Sequence, residues 1–512
     1  MHRIAVGVGP LTESDVVAVA RHGAGVELAE DALGAIAESR KVVDALAEDS
    51  APHYGVSTGF GALATKHIPV EQRALLQRSL IRSHAAGSGP EVEREVVRAM
   101  MLLRLSTLAT GRTGVRPATA TGLAALLDYG ITPVVREFGS LGCSGDLAPL
   151  AHVALALIGE GVVRAADGTP GPAADVLRSH GLEPVALGEK EGLALINGTD
   201  GMLGQLLLAC HDLDLLLRTA DISAAMSVEA LLGTARVFAA DLQALRPHAG
   251  QAAAAANLRA LLAGSSIMAS HAGPDCVYVQ DAYSMRCAPQ VAGAARDTLT
   301  HARSVASCEL ASAVDNPVVL DGRVESNGNF HGAPIGYVLD FLAIPCADVA
   351  SMSERRTDRM LDVARSRGLP PFLADDPGVD SGHMIAQYAQ AALVSELKRL
   401  AVPASVDSIP SSAMQEDHVS MGWSSARKLR RSVDALTRVL AIEVLTAARA
   451  LDLRAPLHPG PATAAVVAAL RAHVAGPGPD RFLSPEIESA VEFVRTGAAV
   501  IAADAALAEP LN

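Results

Sequence analysis

The amino-acid sequence predicts an all-α protein, and two observations support that fold class. Half of the 512 residues are hydrophobic by type, yet aromatic residues make up only 3%. A composition dominated by Ala and Leu favours close-packed helices over β-sandwiches, whose strands depend on Val, Thr and aromatic side chains. In several segments, apolar residues also recur at helical spacing with charged residues between them, which is typical of amphipathic helices.

Four segments carry this amphipathic pattern most clearly: residues 29–48, 93–108, 202–217 and 433–452. The apolar face of the first is formed by Leu33, Ile36, Val43 and Leu46. A further helix is predicted at Ser484-Pro485-Glu486, with Ser484 as the N-cap, Pro485 at the first helical position and Glu486 in the first turn. We find no internal repeat and no composition shift that would divide the chain into independent domains.

Charge, cysteine usage and apolar runs indicate which partners and which cellular compartment to expect. A formal net charge of -14 repels polyanions, and no Lys/Arg-rich run with interleaved aromatics compensates for it, so we do not expect nucleic acid as a partner. The six cysteines form no C-x-x-C pair, which fits a reducing cytoplasm. We expect no signal peptide and no membrane span, because the apolar run at 147–158 is short and is interrupted by Pro149 and His152.

The segment Cys143-Ser144-Gly145-Asp146 follows a glycine-rich turn and precedes a helix-like apolar run. An ordinary helix N-cap would explain it, whereas a nucleophile elbow would not, because that motif needs Gly where Asp146 stands. A third interpretation is chemical. The Gly145 nitrogen attacks the Cys143 carbonyl to close a five-membered ring, and Ser144 then loses water to leave an exocyclic methylidene. Gly145 has no Cβ to obstruct that close backbone approach.

The longer segment Gly139-Ser-Leu-Gly-Cys-Ser-Gly-Asp-Leu-Ala-Pro-Leu-Ala-His152 resembles the signature of the aromatic amino acid lyases that use a methylidene-imidazolone group. This family more often has Ala at the position of Cys143, which contributes only its carbonyl to the ring. The resemblance implies a 4-methylidene-imidazol-5-one group formed autocatalytically from Cys143-Ser144-Gly145, with Asp146 assisting its formation. It implies no metal and no nucleotide cofactor.

Tyr54-Gly-Val-Ser-Thr-Gly-Phe-Gly61 resembles the mobile loop of this family, in which Tyr54 would remove the β-proton of the substrate. The G-x-G-x-x-A pattern at 59–64 is a weak dinucleotide signal, because no β-branched strand precedes it and no acidic residue lies about twenty residues on. A phenol with an ordinary pKa of about 10 is a poor base, so we expect the site to lower the pKa of Tyr54.

Two further motifs match the family. Ser83-His84-Ala-Ala-Gly could simply place a His at a helix C-terminus, but the resemblance makes His84 a contact to the substrate side chain. Asn197, in Leu-Ile-Asn-Gly-Thr, could be a turn residue before Gly198, but the resemblance places it beside the prosthetic ring.

Gln280, Tyr283 and Arg286 are spaced by three residues, so they would share one side of a helical turn. A polar helix face is the alternative explanation. By resemblance, Tyr283 is catalytic, Gln280 binds substrate and Arg286 pairs the substrate carboxylate, for which a guanidinium fork is well suited. The family often has Pro at the position of Ala282. Asn327-Gly-Asn-Phe-His resembles the loop that sets Phe330 against the ring, although alone it is an ordinary Asn-Gly turn.

Glu416, Asp417 and His418 stand in a row, but consecutive residues point in different directions, so we do not interpret them as metal ligands. By resemblance, Gln415 lies near the active site and Glu416 accepts a hydrogen bond from a substrate imidazole. Histidine-specific members usually have Asn at the position of Met414.

These motifs span residues 54–421, and together they imply the fold and activity of the family. The implied fold is a long central helical bundle with a looped N-terminal active-site region, assembled as a homotetramer with shared active sites. Within a single largely helical unit 1–512, we distinguish an N-terminal region 1–115, a central bundle 116–450 carrying the prosthetic group and C-terminal helices 451–512. The implied reaction is the elimination of ammonia from L-histidine to give trans-urocanate, the first step of histidine degradation. The alternatives are an aromatic ammonia-lyase or 2,3-aminomutase acting on Tyr or Phe, and a non-catalytic helical oligomer.

Overall fold

The predicted all-α fold class is confirmed. The computed structural model describes residues 3–49, 51–273, 276 and 279–512. The first ten α-helices in that part of the chain are α1 (Glu13–Arg21), α2 (Glu30–Glu48), α3 (Arg73–His84), α4 (Arg94–Ala109), α5 (Pro117–Asp128), α6 (Leu147–Leu157), α7 (Ala173–Ser179), α8 (Glu191–Ile196), α9 (Asp200–Ala230) and α10 (Ala240–Ala244). They are followed by α11 (Ala249–Leu262), α12 (Ser266–Ala269), α13 (Tyr283–Arg286), α14 (Ala288–Leu310), α15 (Ala333–Leu361), α16 (Met384–Leu400), α17 (Gly422–Asp452), α18 (Pro461–Arg471), α19 (Ser484–Arg495) and α20 (Ala498–Asp504).

The strands are short and form only small sheets within the described residues. In chain order they are β1 (Arg3–Val6), β2 (Gly25–Leu28), β3 (Ser88–Glu91), β4 (Thr132–Pro133), β5 (Arg136–Phe138), β6 (Val162–Arg164), β7 (Pro170–Pro172), β8 (Val318–Leu320) and β9 (Arg323–Glu325). Strands β1 and β2 pair in parallel, whereas β3–β5, β4–β6–β7 and β8–β9 pair antiparallel.

The amphipathic segments are helical, with longer bounds in two cases. Residues 29–48 and 93–108 correspond to α2 and α4 within a residue or two, whereas 202–217 and 433–452 are parts of α9 and α17, each of 31 residues. The predicted cap of the helix at Ser484 is wrong by one residue. Leu483 is the N-cap and makes no side-chain cap bond, and the helix already includes Ser484, because Pro485 is accommodated within its first turn.

The chain packs into two compact units, each built from segments that are distant in sequence. The first comprises Met1–His211, Arg303–Leu339 and Pro403–Arg427, and the second comprises Asp212–Ala302, Asp340–Val402 and Lys428–Asn512. Four of the five unit boundaries fall inside the long helices α9, α14, α15 and α17, and the fifth, between Val402 and Pro403, follows α16. Sequence-distant segments within each unit are therefore brought together by tertiary packing.

Two stretches of the described chain are long and apolar enough to cross a membrane by length and composition alone. The most apolar window of Glu191–Ala230 is 100% buried within the protein, which is the environment of a core helix. That of Ala333–Leu361 is 61% buried. The helix Ala333–Leu361 also exposes large hydrophobic side chains, including Tyr337, Phe341 and Ile344.

A buried ion pair organises the interior of the second unit. The guanidinium of Arg356 donates to the Glu443 carboxylate, and both side chains are at most 3% exposed. Ser223 and Ser227 each donate a hydroxyl hydrogen to the same carboxylate, at 2.8 and 2.7 Å. These contacts join α9, α15 and α17. The two serine hydroxyls also give the Glu443 carboxylate hydrogen bonds beyond those from Arg356, as a buried charge requires.

Candidate active site

The segment that carries Cys143-Ser144-Gly145 lies in the first unit, immediately before α6. Asp146, which precedes α6, accepts hydrogen bonds on its side chain from Met202 N at 2.9 Å and from Ser140 Oγ at 2.9 Å. Met202 belongs to the first turn of α9, so the Asp146 carboxylate caps that helix. The tripeptide therefore lies at the N-termini of α6 and α9, where two helix dipoles present positive potential.

Asp146 is fully buried at this junction. Desolvation is the largest influence on its carboxyl and raises its pKa to about 7, although the bonds from Met202 and Ser140 act in the opposite direction. A carboxyl with this pKa can exist as either the acid or the base near neutral pH.

Gly145 and Gly198 pack backbone against backbone. Gly145 has a φ of +74°, which favours glycine, and a Cβ there would lie only 2.1 Å from Gly198 O. Gly198 O accepts the Asp146 N–H at 2.7 Å. Asn197 Nδ2 donates to Ser144 O at 3.0 Å, while Asn197 Oδ1 is buried without a hydrogen-bond partner among the described residues. The turn Asn197-Gly198 thus holds the bent conformation of the tripeptide.

Glu416 faces the same tripeptide. Its carboxylate accepts from Cys143 Sγ at 2.9 Å, Ser144 Oγ at 3.2 Å and Ser411 Oγ at 3.0 Å. Burial and the neighbouring Glu416 raise the pKa of the Cys143 thiol to about 12, so the thiol stays protonated and remains a donor. The Cys143 side chain therefore contacts Glu416, in addition to the carbonyl that this residue would contribute to the ring.

A left-handed turn presents Glu416. Ser412, Ala413 and Met414 have φ values of 53°, 53° and 68°, which is a strained conformation for three consecutive residues that are not glycine. A bridge between Ser411 and Glu416 closes the turn. Gln415 is exposed.

Tyr54 is anchored by its neighbours in the loop 54–61. Val56 packs in a buried cluster with Val43 and Val319, and Gly61 N donates to Tyr54 Oη at 3.3 Å. Burial is the largest influence on the phenol and raises its pKa, the Gly61 bond lowers it, and the charges of Glu416 and Asp315 raise it further. Within this chain the pKa of Tyr54 is therefore raised, because desolvation outweighs the one favourable hydrogen bond.

His84 ends α3 and is half-buried. Its Nδ1 lies 2.9 Å from Leu80 O, an acceptor, so Nδ1 carries the hydrogen and Nε2 is left as an acceptor in the neutral ring. Burial lowers the pKa of His84, and the charge of Glu416 partly opposes this effect. His84 is therefore neutral near pH 7.

The loop that contains Phe330 is tied to the tripeptide segment. Gly332 N donates to Gly142 O at 3.1 Å, Ser420 Oγ donates to the same oxygen at 2.7 Å, and Met421 N donates to Leu141 O at 2.9 Å. Phe330 itself is half-buried. Within the first unit, the structure thus joins the loops 139–146, 328–332 and 409–421.

Gln280, Tyr283 and Arg286 belong to the second unit. Tyr283 and Arg286 lie on the four-residue helix α13, whereas Gln280 precedes it. The predicted shared helical face therefore holds for Tyr283 and Arg286 but not for Gln280. The guanidinium carbon of Arg286 lies 5.1 Å from the centroid of the Tyr283 ring, which is 69% exposed. This distance is typical of a cation–π contact.

Sequence reasoning missed three residues that support the site. Ser140 and Ser411 orient Asp146 and Glu416, and nothing in the pattern distinguishes them from ordinary loop serines. Arg104, fully buried in α4, donates to Asn197 O at 3.1 Å. It stands within the apolar run Met100-Met-Leu-Leu-Arg-Leu105, and a charged residue in such a run was the available signal.

Comparisons with known proteins show the family to which this chain belongs. The family model described as aromatic amino acid lyase matches residues 11–472, and this chain belongs to that family. A histidine ammonia-lyase of Streptomyces avermitilis is 66% identical over 506 residues, which cover 98% of this chain and 99% of the relative.

Solved structures show the same fold. A tyrosine aminomutase of Streptomyces globisporus superposes with a TM-score of 0.94 at 39% identity, over 100% of both chains. A histidine ammonia-lyase of Trypanosoma cruzi superposes with a TM-score of 0.91 at 38% identity, covering 99% of this chain and 96% of that one.

Proposed function

We propose that this protein is a histidine ammonia-lyase, which eliminates ammonia from L-histidine to give trans-urocanate. The observation that carries the proposal is the Glu416 carboxylate, in hydrogen-bond contact with both Cys143 and Ser144. It provides an acceptor for an imidazole N–H beside the serine from which the electrophile would form. The 66% identity to a relative named histidine ammonia-lyase supports the same substrate.

The prosthetic group of the family would be built from Cys143-Ser144-Gly145. The residues fit this group, because the backbone packed against Gly145 leaves no room for a Cβ and because Asn197 and Gly198 hold the neighbouring backbone. The group supplies an electrophilic methylidene carbon. Asn197 Oδ1, an unsatisfied buried acceptor among the described residues, is available to an N–H donor at this site. The proposal needs neither a metal nor a nucleotide.

Tyr54 is proposed as the base that removes the β-proton of the substrate. The Gly61 N–H supports a phenolate at Oη, but burial and Glu416 oppose one. These contacts favour the neutral phenol, and positive charge brought by the substrate, or by Arg286 of another subunit, would favour its ionisation. This dependence couples proton removal to substrate binding.

Selection of the imidazole ring is assigned to Glu416 and His84, with Gln415 next to them. Glu416 is a hydrogen-bond acceptor, and neutral His84 offers Nε2 as a second one. A phenyl ring cannot donate to either group, so its binding would leave both acceptors desolvated.

The substrate carboxylate is assigned to Arg286, with Gln280 and Tyr283 beside it and Phe330 against the ring. We propose that these groups act in a homotetramer whose subunits share active sites. Tyr283 is 69% exposed, and α15 exposes Tyr337, Phe341 and Ile344 at 49%, 45% and 51%. These three residues repeat at intervals of four and three, so they form one apolar helix face of the kind that another subunit covers.

We assign the protein to the cytoplasm as part of the same proposal. All six cysteines are free thiols, and three of them are buried. Thiols in this state fit a reducing compartment.

The test is a product analysis coupled to an intact-mass measurement. The purified protein is expected to convert L-histidine to urocanate and ammonia, and to weigh about 36 Da less than its sequence because ring closure and elimination remove two waters. A Ser144→Ala variant is the control and should lack both the second dehydration and the activity. A β-amino acid product would indicate an aminomutase, cinnamate or coumarate an aromatic lyase, and an unmodified mass in active protein would exclude the ring.

A further inference from the structure

A buried arginine holds the turn that contacts the tripeptide. Arg104 in α4 is 0% exposed. Its Nη1 donates to Ala194 O and to Asn197 O, both at 3.1 Å, and its Nη2 donates to Val314 O at 2.9 Å. Its Nε lies 3.3 Å from Asp200 Oδ2. One side chain thus holds the first part of the segment 194–200 by hydrogen bonds and lies beside the Asp200 carboxylate at its other end.

That segment is the one that holds the tripeptide backbone. Asn197 donates to Ser144 O at 3.0 Å, and Gly198 O accepts from Asp146 N at 2.7 Å. Space is limiting on both sides of Gly198. A Cβ on Gly198 would lie 2.6 Å from a guanidinium nitrogen of Arg104, and a Cβ on Gly145 would lie 2.1 Å from Gly198 O. The Asn197-Gly198 turn is therefore enclosed between Arg104 and the tripeptide.

We infer that Arg104 is a positioning residue for the formation of the prosthetic ring. The inference rests on the proposed function and extends it to the residue that prepares the tripeptide for cyclisation. In that step the Gly145 nitrogen bonds to the Cys143 carbonyl carbon and one water leaves, and Ser144 then loses its hydroxyl and its α-hydrogen as a second water. Arg104 acts through Asn197 and Gly198 and does not touch the reacting atoms.

The physical reason is conformational. Ring closure needs the Gly145 nitrogen to approach a carbonyl carbon two residues back, which a mobile chain rarely achieves. Two hydrogen bonds from one planar guanidinium, to Ala194 O and Asn197 O, restrict the turn that lies against the tripeptide. Removal of the charge would also leave Asp200 unpaired, and burial already raises the pKa of that carboxyl, with Arg104 as the main opposing influence.

Arg98 offers a matched control on the same helix. It is 1% exposed, and it donates to Val19 O at 2.9 Å and to Leu127 O at 3.2 Å. Neither acceptor belongs to the segments that contact the tripeptide. A purely structural role for buried arginines in α4 would therefore give both positions the same outcome.

The experiment compares four variants of the full-length protein. Three are single substitutions, Arg104→Gln, Arg104→Lys and Arg98→Gln, and the fourth is a double variant in which Arg104→Gln is combined with Asp200→Asn to keep the charge balanced. Folding is followed by circular dichroism, and ring formation by the fraction of intact chains that have lost two waters. We expect the folded Arg104 variants to cyclise roughly tenfold more slowly, the rate equivalent of about one lost hydrogen bond. Arg98→Gln should lose thermal stability but cyclise completely.

Each outcome decides the inference. Cyclisation as fast as wild type in any folded Arg104 variant overturns it. Arg104→Lys keeps the charge beside Asp200, so a folded variant remains for the measurement if both glutamine variants fail to fold. If the wild type itself keeps its full sequence mass, the proposed function fails instead, and the two failures are thereby distinguished.

Discussion

Glu416 illustrates how single residues define this site. It accepts hydrogen bonds from Cys143, Ser144 and Ser411 in the unmodified chain. Under the proposed function, dehydration of Ser144 would remove one of these donors and leave the carboxylate able to accept an N–H from the substrate. The thiol of Cys143, held in its protonated form, continues to orient the carboxylate.

The Glu416→Gln variant is expected to lose selectivity for histidine. A carboxylate that loses a hydrogen-bond partner costs on the order of 1.5 to 3 kcal/mol, which equals about one to two decades in the ratio of kcat/KM for L-histidine and L-phenylalanine. That ratio is the measurement, and Asp417→Asn at the exposed neighbouring position is the control. An unchanged ratio in Glu416→Gln would assign selectivity to other residues.

Met414 is strained by its backbone conformation, with a φ of 68° and a side chain that is 67% exposed. Asn adopts this left-handed region more readily than other L-residues. We therefore expect Met414→Asn to raise stability by about 1 kcal/mol without loss of core packing, seen as a higher thermal midpoint. Met414→Leu keeps the strain and should show no gain, and equal midpoints for the two variants would contradict the argument.

At the scale of elements, helix N-termini lie close to the tripeptide Cys143-Ser144-Gly145. α6 and α9 begin at Leu147 and Asp200, on either side of Asp146. α17 begins at Gly422, whose neighbour Met421 donates to Leu141 O. Backbone dipoles thus supply positive potential beside the tripeptide.

The helix α16 contains a pH-sensitive feature at its N-terminal cap, His383. Its side chain is 3% exposed, its Nδ1 lies 3.1 Å from Thr446 Oγ1, and burial lowers its pKa to about 3. Between pH 6.5 and 3 the unfolded chain therefore binds a proton that the folded chain does not, so stability falls as the pH falls through this window.

This group alone is expected to reduce the free energy of unfolding by about 2 kcal/mol at pH 5 relative to pH 7 or above. His383→Asn keeps a polar atom near Thr446 and should flatten the dependence of the thermal midpoint on pH. The exposed His22→Gln is the control, and a pH dependence in His383→Asn that matches wild type would refute the assignment.

At the scale of the whole molecule, the candidate residues divide between the two units. Ser144 and Glu416 belong to the first, whereas Tyr283 and Arg286 belong to the second. In the proposed shared-site homotetramer, the two groups of one active site come from different subunits.

Co-expression of Ser144→Ala and Arg286→Ala chains is expected to restore activity that neither variant has alone. Random mixing of equal amounts leaves about a quarter of the sites with both groups intact if they come from different chains. Tyr54→Phe with Ser144→Ala is the control pair, because both residues belong to the first unit and no complementation is expected. Absence of activity in well-folded Ser144/Arg286 mixtures would argue against shared sites.

The local sequence by itself determined the helices and the electrophile-forming tripeptide. Helical periodicity depends on residues only three or four positions apart in the chain, so the helices at 29–48 and 93–108 could be located to within a residue or two. Cys143-Ser144-Gly145-Asp146 could be assigned through the resemblance of residues 139–152 to the family signature, because cyclisation involves adjacent residues and the requirement for Gly is visible in the sequence.

Tertiary structure alone decided the environment of each group. The raised pKa of Tyr54, the contact between Cys143 and Glu416 and the buried bonds of Arg104 all join residues far apart in the chain. The left-handed turn at 412–414 contains no Gly or Asn to announce it. Desolvation and strain depend on what packs around a residue, and that packing is fixed only when distant segments are brought together.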